Sequence, residues 1–280
     1  MMYRLVIQAP ELASQNLKQL ARLSGAHTIE AINQQAFKLH GAEIENLESV
    51  ADFCESNQFD FAFIPEELSV KDIGLVVMDM DSTLITIECI DEIADMIGIK
   101  AQVAAITAAA MRGELDFNAS LTQRVALLAG LDESALERVY TERLQLMAGA
   151  EKMLTGFQAA GAKTLLISGG FTFFTEKLQA RLGLTRTIAN ALEIENGKLT
   201  GRIVGDIVNA ETKRDELIAM RDELGLRHEQ VVAMGDGAND LLMLHAAGFG
   251  VACHAKPKVQ AQAPYKINYA GLDGVLNYFN

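Results

Sequence analysis

Val76-Val77-Met78-Asp79-Met80-Asp81-Ser82-Thr83-Leu84 carries a continuous apolar run straight into a polar turn. A run of this kind, without alternation of apolar and polar residues, reads as a strand buried on both faces, as in a parallel sheet covered by helices. In open α/β sheets ligands bind beyond the carboxyl ends of the strands, so acids placed where this strand stops are aimed at a site. On an extended backbone residues i and i+2 project to one side roughly 6–7 Å apart, near enough to share one substrate and one cation. A divalent cation offsets the repulsion between Asp79 and Asp81 and lets them differ, one an attacking anion and the other a proton carrier. Taken alone, the pair is equally consistent with a solvated Asp-x-Asp at a strand end.

Two further strand ends repeat the pattern. Val231-Val232-Ala233-Met234 leads into Gly235-Asp236-Gly237-Ala238-Asn239-Asp240 before a helix that starts at Leu241. The glycines permit a tight turn, and Asp236 and Asp240 add hard oxygen ligands of the kind that suit magnesium. Lys163 to Gly170 reads as a strand followed by small residues and a helix from Phe171 to Leu182. Free N–H groups at a helix start, with the Ser168 hydroxyl, make a cradle for phosphate oxygens. Lys213, near the start of a helix from Glu211 to Leu224, supplies positive charge to the same anion. Each feature also has a plain structural reading, since Gly, Asp and Asn make turns in any case and a lone helix lysine is ordinarily surface.

In this order the pieces resemble the haloacid dehalogenase-like superfamily of aspartate-nucleophile phosphotransferases. Asp79-x-Asp81-x-Thr83 is similar to its first motif, Ser168 to its second, Lys213 to its third and Gly235-Asp236-Gly237-x-Asn239-Asp240 to its fourth; Met80 stands where a phenylalanine is expected. The similarity covers residues 72 to 280. It implies an α/β fold, a Rossmann-like doubly wound parallel sheet with an inserted helical cap. It implies Asp79 as nucleophile and Asp81 as general acid and base. Magnesium is then held by Asp79, Asp236 and the backbone carbonyl of Asp81, with Asp240 and Asn239 outside them or orienting substrate, and the phosphoryl oxygens lie on Ser168, the Gly169 N–H and Lys213. The stretch from Asp79 to Ile85, with Glu88 and Ile90-Asp91-Glu92, narrows the implied substrate to O-phosphoserine, cleaved to serine and phosphate in the last step of serine formation. The rivals are a sister enzyme hydrolysing another small phosphate ester, one passing the phosphoryl group to an alcohol, and a non-catalytic amino-acid-binding protein; the full set of carboxylates speaks against the last.

Substrate choice is expected to come from the segment between the first and second motifs, residues 86–146. Ile87, Ile90, Ile93, Ala94 and Ile97 recur at helical spacing, and helical patterns follow from Ala101 to Met111, Ala119 to Leu128 and Ser134 to Leu146. Ser134-x-x-Glu137 predicts a capping box. An all-helical insertion at this point resembles a small cap over the active site. By that resemblance Glu88 faces the substrate's amino group, Arg124 its carboxylate, and Met111 and Phe117 form an apolar wall; a guanidinium fork matches a carboxylate.

Composition is compatible with this reading. Half of the 280 residues are hydrophobic, and the net charge of −13 repels nucleic acid and anionic membrane, so neither is expected as a partner. Cys54, Cys89 and Cys253 are too few and too scattered for a disulfide framework or a zinc cluster. The start lacks a long apolar signal region and no stretch is long enough to span a bilayer, which makes the cytoplasm the default compartment. A homodimer is left open. The expected domains are a small N-terminal α/β module of regulatory type (1–70), the catalytic core (71–85 and 147–280) and the helical cap (86–146). In the first of these, Tyr3 to Gln8 reads as a strand, Leu12 to Ser24 and Leu47 to Asn57 as helices, Phe59 to Ile64 as an apolar run and Pro65-Glu66-Glu67 as a linker. Asn196-Gly197 within Ala191 to Val204 predicts a β-hairpin.

Overall fold

The structure is a computed structural model that describes residues 2–279. In chain order it begins with β1 (Tyr3–Gln8), α1 (Ser14–Ser24), β2 (Thr28–Asn33), β3 (Ala36–Ala42), α2 (Leu47–Asn57) and β4 (Asp60–Pro65). Next come β5 (Leu75–Met78), α3 (Cys89–Met96), α4 (Lys100–Met111), α5 (Phe117–Ala126), α6 (Ser134–Glu142), α7 (Ala150–Ala159), β6 (Lys163–Phe171) and α8 (Thr172–Leu182). The rest is β7 (Arg186–Glu195), β8 (Lys198–Val204), α9 (Ala210–Glu223), β9 (Val231–Gly235), α10 (Leu241–His245), β10 (Phe249–Cys253), α11 (Pro257–Gln260) and β11 (Tyr265–Ile267). Four strands pair in the order β2-β3-β1-β4 and seven in the order β11-β10-β9-β5-β6-β7-β8. Strands β9, β10 and β11 run parallel, as do β6 and β7, while β8 turns back antiparallel on β7.

By contact density the chain divides into two compact units, Met1–Val76 with Ala148–Lys163 and Arg221–Asn280, and Val77–Met147 with Thr164–Met220. In the first, the β-α-β-β-α-β order of the N-terminal module is that of the ferredoxin-like arrangement. Its core is built from Leu5, Ile7, Leu17, Leu20, Leu39, Val50, Cys54 and Phe63. Strand β2 escapes a reading by periodicity, because it is exposed at nearly every position and pairs on one edge only. Pro65-Glu66-Glu67 is more than a linker. Arg4 donates to the carbonyls of Glu66, Leu68 and Tyr278 at 2.6, 2.6 and 2.7 Å, and the Glu66 carboxylate takes the Gly41 N–H and a ring nitrogen of His40 at 3.0 Å each. Asp60, 3% exposed, accepts the backbone N–H groups of Asn268, Tyr269 and Ala270 at 2.7, 2.9 and 2.8 Å. Burial pushes its carboxyl up, against those three hydrogen bonds. The module is therefore tied to the segment after β11 by buried polar bonds.

In the second unit α3 to α6 form a helical group, with α3 packed on α4 and α6 and α4 on α5. The expected helices are all present. The expected capping box at Ser134 is not, because Asp132 draws the Ser134 side chain back: its carboxylate accepts the Ser134 N–H at 3.0 Å and the Ser134 hydroxyl at 2.5 Å. Glu137, freed from the N-terminus, pairs with Lys177 Nζ at 2.8 Å. The β7–β8 hairpin turns at Asn196 (φ 51°) and Gly197 (φ 75°), the two positive angles that a two-residue hairpin loop requires. It packs against α5, where Gly201 fits beneath Ala126 and Ala129, and is laced to the following loop by Gly130 N–H to Leu199 O and Leu199 N–H to Leu131 O, each 2.8 Å.

Candidate active site

β5 ends at Met78, and the chain leaves it through an extended Asp79 into a tight turn over Met80–Leu84. Within that turn Ser82 sits at φ 55°, a left-handed conformation that costs a residue with a side chain roughly 1–2 kcal/mol. Two bonds offset this cost: the Ser82 N–H donates to Ile87 O at 3.2 Å, and its hydroxyl donates to Glu88 Oε1 at 2.8 Å. Glu88, at the start of α3, is thereby turned back toward the acid pair instead of capping its own helix.

Asp79 is buried, accepts the Met80 N–H at 2.7 Å and pairs with Lys213 Nζ at 2.8 Å. Lys213 is 0% exposed, although it lies on a helix whose sequence suggested surface. Removing two ions from water costs several kcal/mol each, so a pair of this kind is better explained by chemistry than by stability. Asp81 is half-buried and takes the Cys89 N–H at 3.4 Å. Desolvation, followed by the field of Glu88, pushes its carboxyl up to about 7, against the Cys89 hydrogen bonds and Lys213. A carboxyl balanced there is poised to give and take a proton near neutrality.

β6 carries the second loop. Its pairing with β7 slips between Ile167 and Phe171, so Ser168, Gly169 and Gly170 bulge out of the ladder. Ser168 Oγ accepts the Gly170 N–H at 2.8 Å and closes the bulge. A Cβ on Gly170 would lie 2.8 Å from Met80 Cε and 3.0 Å from both Asp81 Oδ2 and Ser168 Oγ, so a side chain there would press on the acid turn. Met80 is thus buried under this loop. A Cβ on Gly169 would lie 2.8 Å from Phe117 Cζ, which places the Phe117 ring on the loop. Asp79, Asp81, Glu88, Phe117, Ser168, Gly169 and Lys213 are therefore linked through direct contacts or a shared neighbour.

Arg124 reaches the same acids by field more than by contact. Burial lowers its guanidinium from the usual value, with Asp91, Glu88 and Asp81 acting in the opposite sense. Its Nε donates weakly to Ser120 O at 3.4 Å, and its terminal nitrogens make no hydrogen bond among the described residues. Met111 is not brought in: α4 buries only Val103, and Met111 at its end stands 70% exposed.

The loop after β9 is built tightly. The Gly237 N–H donates to Asp240 Oδ2 at 2.9 Å, Asp240 is wholly buried, and Asp236 and Asn239 are half-exposed. Asp236 and Asp240 give this loop two carboxylates. Such an all-oxygen set fits a hard divalent cation. Two further residues at this site carry no sequence signal of their own. Cys89 is one, an ordinary apolar position of α3. The other is Asn190, a buried asparagine inside β7 whose amide bridges Gly169 O and the Val208 N–H at 2.8 and 2.9 Å.

The family model for haloacid dehalogenase-like hydrolases matches residues 73–248, and the chain belongs to that family. A model for a domain of unknown function, DUF4072, matches residues 5–46. The chain is 52% identical over 215 residues to a phosphoserine phosphatase of a Polaromonas species, covering 75% of this chain and 91% of that one. Among solved structures it is similar to a haloacid dehalogenase family hydrolase from Salmonella enterica serovar Typhi (TM-score 0.91, 35% identity, 100% of this chain and 98% of that one). It is also similar to a probable phosphoserine phosphatase from Vibrio cholerae (TM-score 0.84, 36% identity, 99% and 86%).

Proposed function

We propose that the protein hydrolyses O-phosphoserine to serine and phosphate through an aspartyl-phosphate intermediate. The observation that carries this reading is the buried Asp79–Lys213 pair beside Asp81, with Glu88 fixed at the rim of the same turn. In the first step an Asp79 oxygen bonds to phosphorus as the ester P–O bond breaks, and Asp81 gives its proton to the departing serine oxygen. In the second, water attacks the phosphorus, Asp81 takes a proton from it, and the Asp79–phosphorus bond breaks to release phosphate. Ser168, the Gly169 N–H and Lys213 hold the phosphoryl oxygens and stabilise their charge.

Asp79, Asp236 and the backbone carbonyl of Asp81 would hold magnesium, with Asp240 and Asn239 supporting them. The ion, when bound, supplies positive charge against the phosphoryl oxygens. Helices α3 to α6 serve as the cap, where Glu88 binds the ammonium and Arg124 the carboxylate of the substrate, and Phe117 keeps water from the phosphoryl loop. The identity of this chain to phosphoserine phosphatases, together with this pairing of an acid and a guanidinium around one site, supports the substrate over other small esters. The test is kcat/KM across O-phosphoserine and esters lacking its ammonium, its carboxylate or both, with magnesium present and after chelation. A preference for O-phosphoserine, with turnover lost on chelation, is expected; equal rates on all esters would overturn the substrate assignment.

A further inference from the structure

We propose that Asn190 is a positioning residue for the phosphoryl cradle, fixing the Ser168–Gly170 bulge and the approach to Lys213 in one register. This rests on the reading of Ser168, Gly169 and Lys213 as the groups that hold the phosphoryl oxygens. The bulge in β6 takes the Gly169 carbonyl out of the strand ladder, and a buried carbonyl must then find another donor. Asn190, 1% exposed, supplies it from Nδ2 at 2.8 Å. The other edge of the same peptide, the Gly170 N–H, donates to Ser168 Oγ at 2.8 Å. Because that oxygen already accepts one hydrogen, its own O–H is left to donate outward. Holding Gly169 O therefore aims the Ser168 hydroxyl.

The second half of the amide acts on Lys213. Asn190 Oδ1 accepts the Val208 N–H at 2.9 Å, and the next residue, Asn209, opens α9: its side chain takes the Thr212 N–H and its carbonyl the Lys213 N–H, both at 3.0 Å. One side chain thus spans both anion-binding groups. Among residues of this size an amide carries a donor and an acceptor on the same planar group without taking up a proton. An ionised aspartate keeps the bond to Val208 but faces the Gly169 carbonyl with a second acceptor, and restores the donor only by taking up a proton.

The experiment compares Asn190→Asp and Asn190→Ala with a control, Thr164→Val. The control removes a different buried bond of β6, in which Thr164 Oγ1 accepts the Thr185 N–H at 3.0 Å. Displacing reacting groups by an ångström costs about 10²-fold in rate. Both Asn190 variants are therefore expected to lose about that factor in kcat, equally on O-phosphoserine and on ethyl phosphate, because the defect lies on the phosphoryl side. Calorimetric affinity for inorganic phosphate is expected to fall about tenfold, the equivalent of roughly 1.4 kcal/mol. Thr164→Val should lower Tm and leave kcat unchanged. A folded Asn190→Asp protein with native kcat and phosphate affinity overturns the proposal, as does a loss confined to O-phosphoserine.

Should the variants not fold, the wild-type protein labelled with ¹⁵N-asparagine decides: the Asn190 side-chain amide pair should exchange slowly and shift on saturation with inorganic phosphate. An unprotected pair that phosphate does not move overturns the inference. A wild-type protein inactive on every ester defeats the functional reading above; an active one with indifferent Asn190 variants defeats only this inference.

Discussion

Lys213 and Asp79 are both out of water and 2.8 Å apart, and each makes the other's charge tolerable. Replacing Asp79 by Asn removes the attacking anion while keeping shape and the Met80 hydrogen bond, so turnover should fall by roughly 10⁴-fold or more with an unchanged circular dichroism spectrum. Phosphoryl label recovered on that variant at the wild-type level would contradict the assignment. Arg124→Ala is expected to lower kcat/KM on O-phosphoserine roughly 10²-fold more than on an ester without a carboxylate, the scale of one hydrogen bond to a charged group; equal losses on the two would remove Arg124 from substrate choice. At this scale much was legible. Asp79, Asp81, Ser168 and Asp236 follow strands whose unbroken apolar runs announce them. Lys213 was legible only as a member of a motif, because burial of a helix lysine depends on what packs over it. Asn190 was silent, since an asparagine within a strand declares neither of the two backbone groups it bridges.

The helices between β5 and α7 were read correctly as elements but less well at their ends. Ser134 and Glu137 have the spacing of a capping box, yet Asp132, two residues earlier, takes up both the Ser134 N–H and its hydroxyl. For α5, which carries Phe117 and Arg124, the cap is Asp116, whose carboxylate accepts the Ala119 N–H at 2.7 Å. Loss of such a cap typically costs about 1 kcal/mol. Asp116→Ala should therefore lower unfolding free energy by about that amount in urea titration, while KM for O-phosphoserine rises as Arg124 and Phe117 loosen; an unaltered KM would separate the cap of α5 from substrate binding. Strands β2 and β3 went unread for a different reason. β2 lies at the sheet edge in solvent, so no alternation of apolar residues marks it, and β3 lies between it and β1.

Across the molecule, the N-terminal module is fastened by polar groups that have left water. Asp60→Ala would orphan three backbone N–H groups at about 1–3 kcal/mol each, so a loss of roughly 3 kcal/mol or more is expected in denaturant titrations. A loss below about 1 kcal/mol would mean that water replaces the carboxylate. His40 adds a pH dependence. Although burial acts to lower its pKa, the bonds to Glu66 and Glu30 prevail and raise it. The folded state then holds the proton more tightly than the unfolded one, so this contribution is complete below about pH 6.5 and is lost as pH rises through the elevated value. His40→Asn should cost stability at pH 6 and markedly less at pH 9; a constant difference would refute the linkage.

The fastening of Asp60 to residues 268–270 and of Arg4 to Tyr278 also bears on how the polypeptide is made. A ribosome adding about 5–20 residues per second completes β4 some ten seconds or more before the partner amides of Asp60 emerge. Until then the nascent module carries a hydrated aspartate and arginine where the finished protein has sealed ones. Its final consolidation consequently waits until residues 268–270 and Tyr278 have been made.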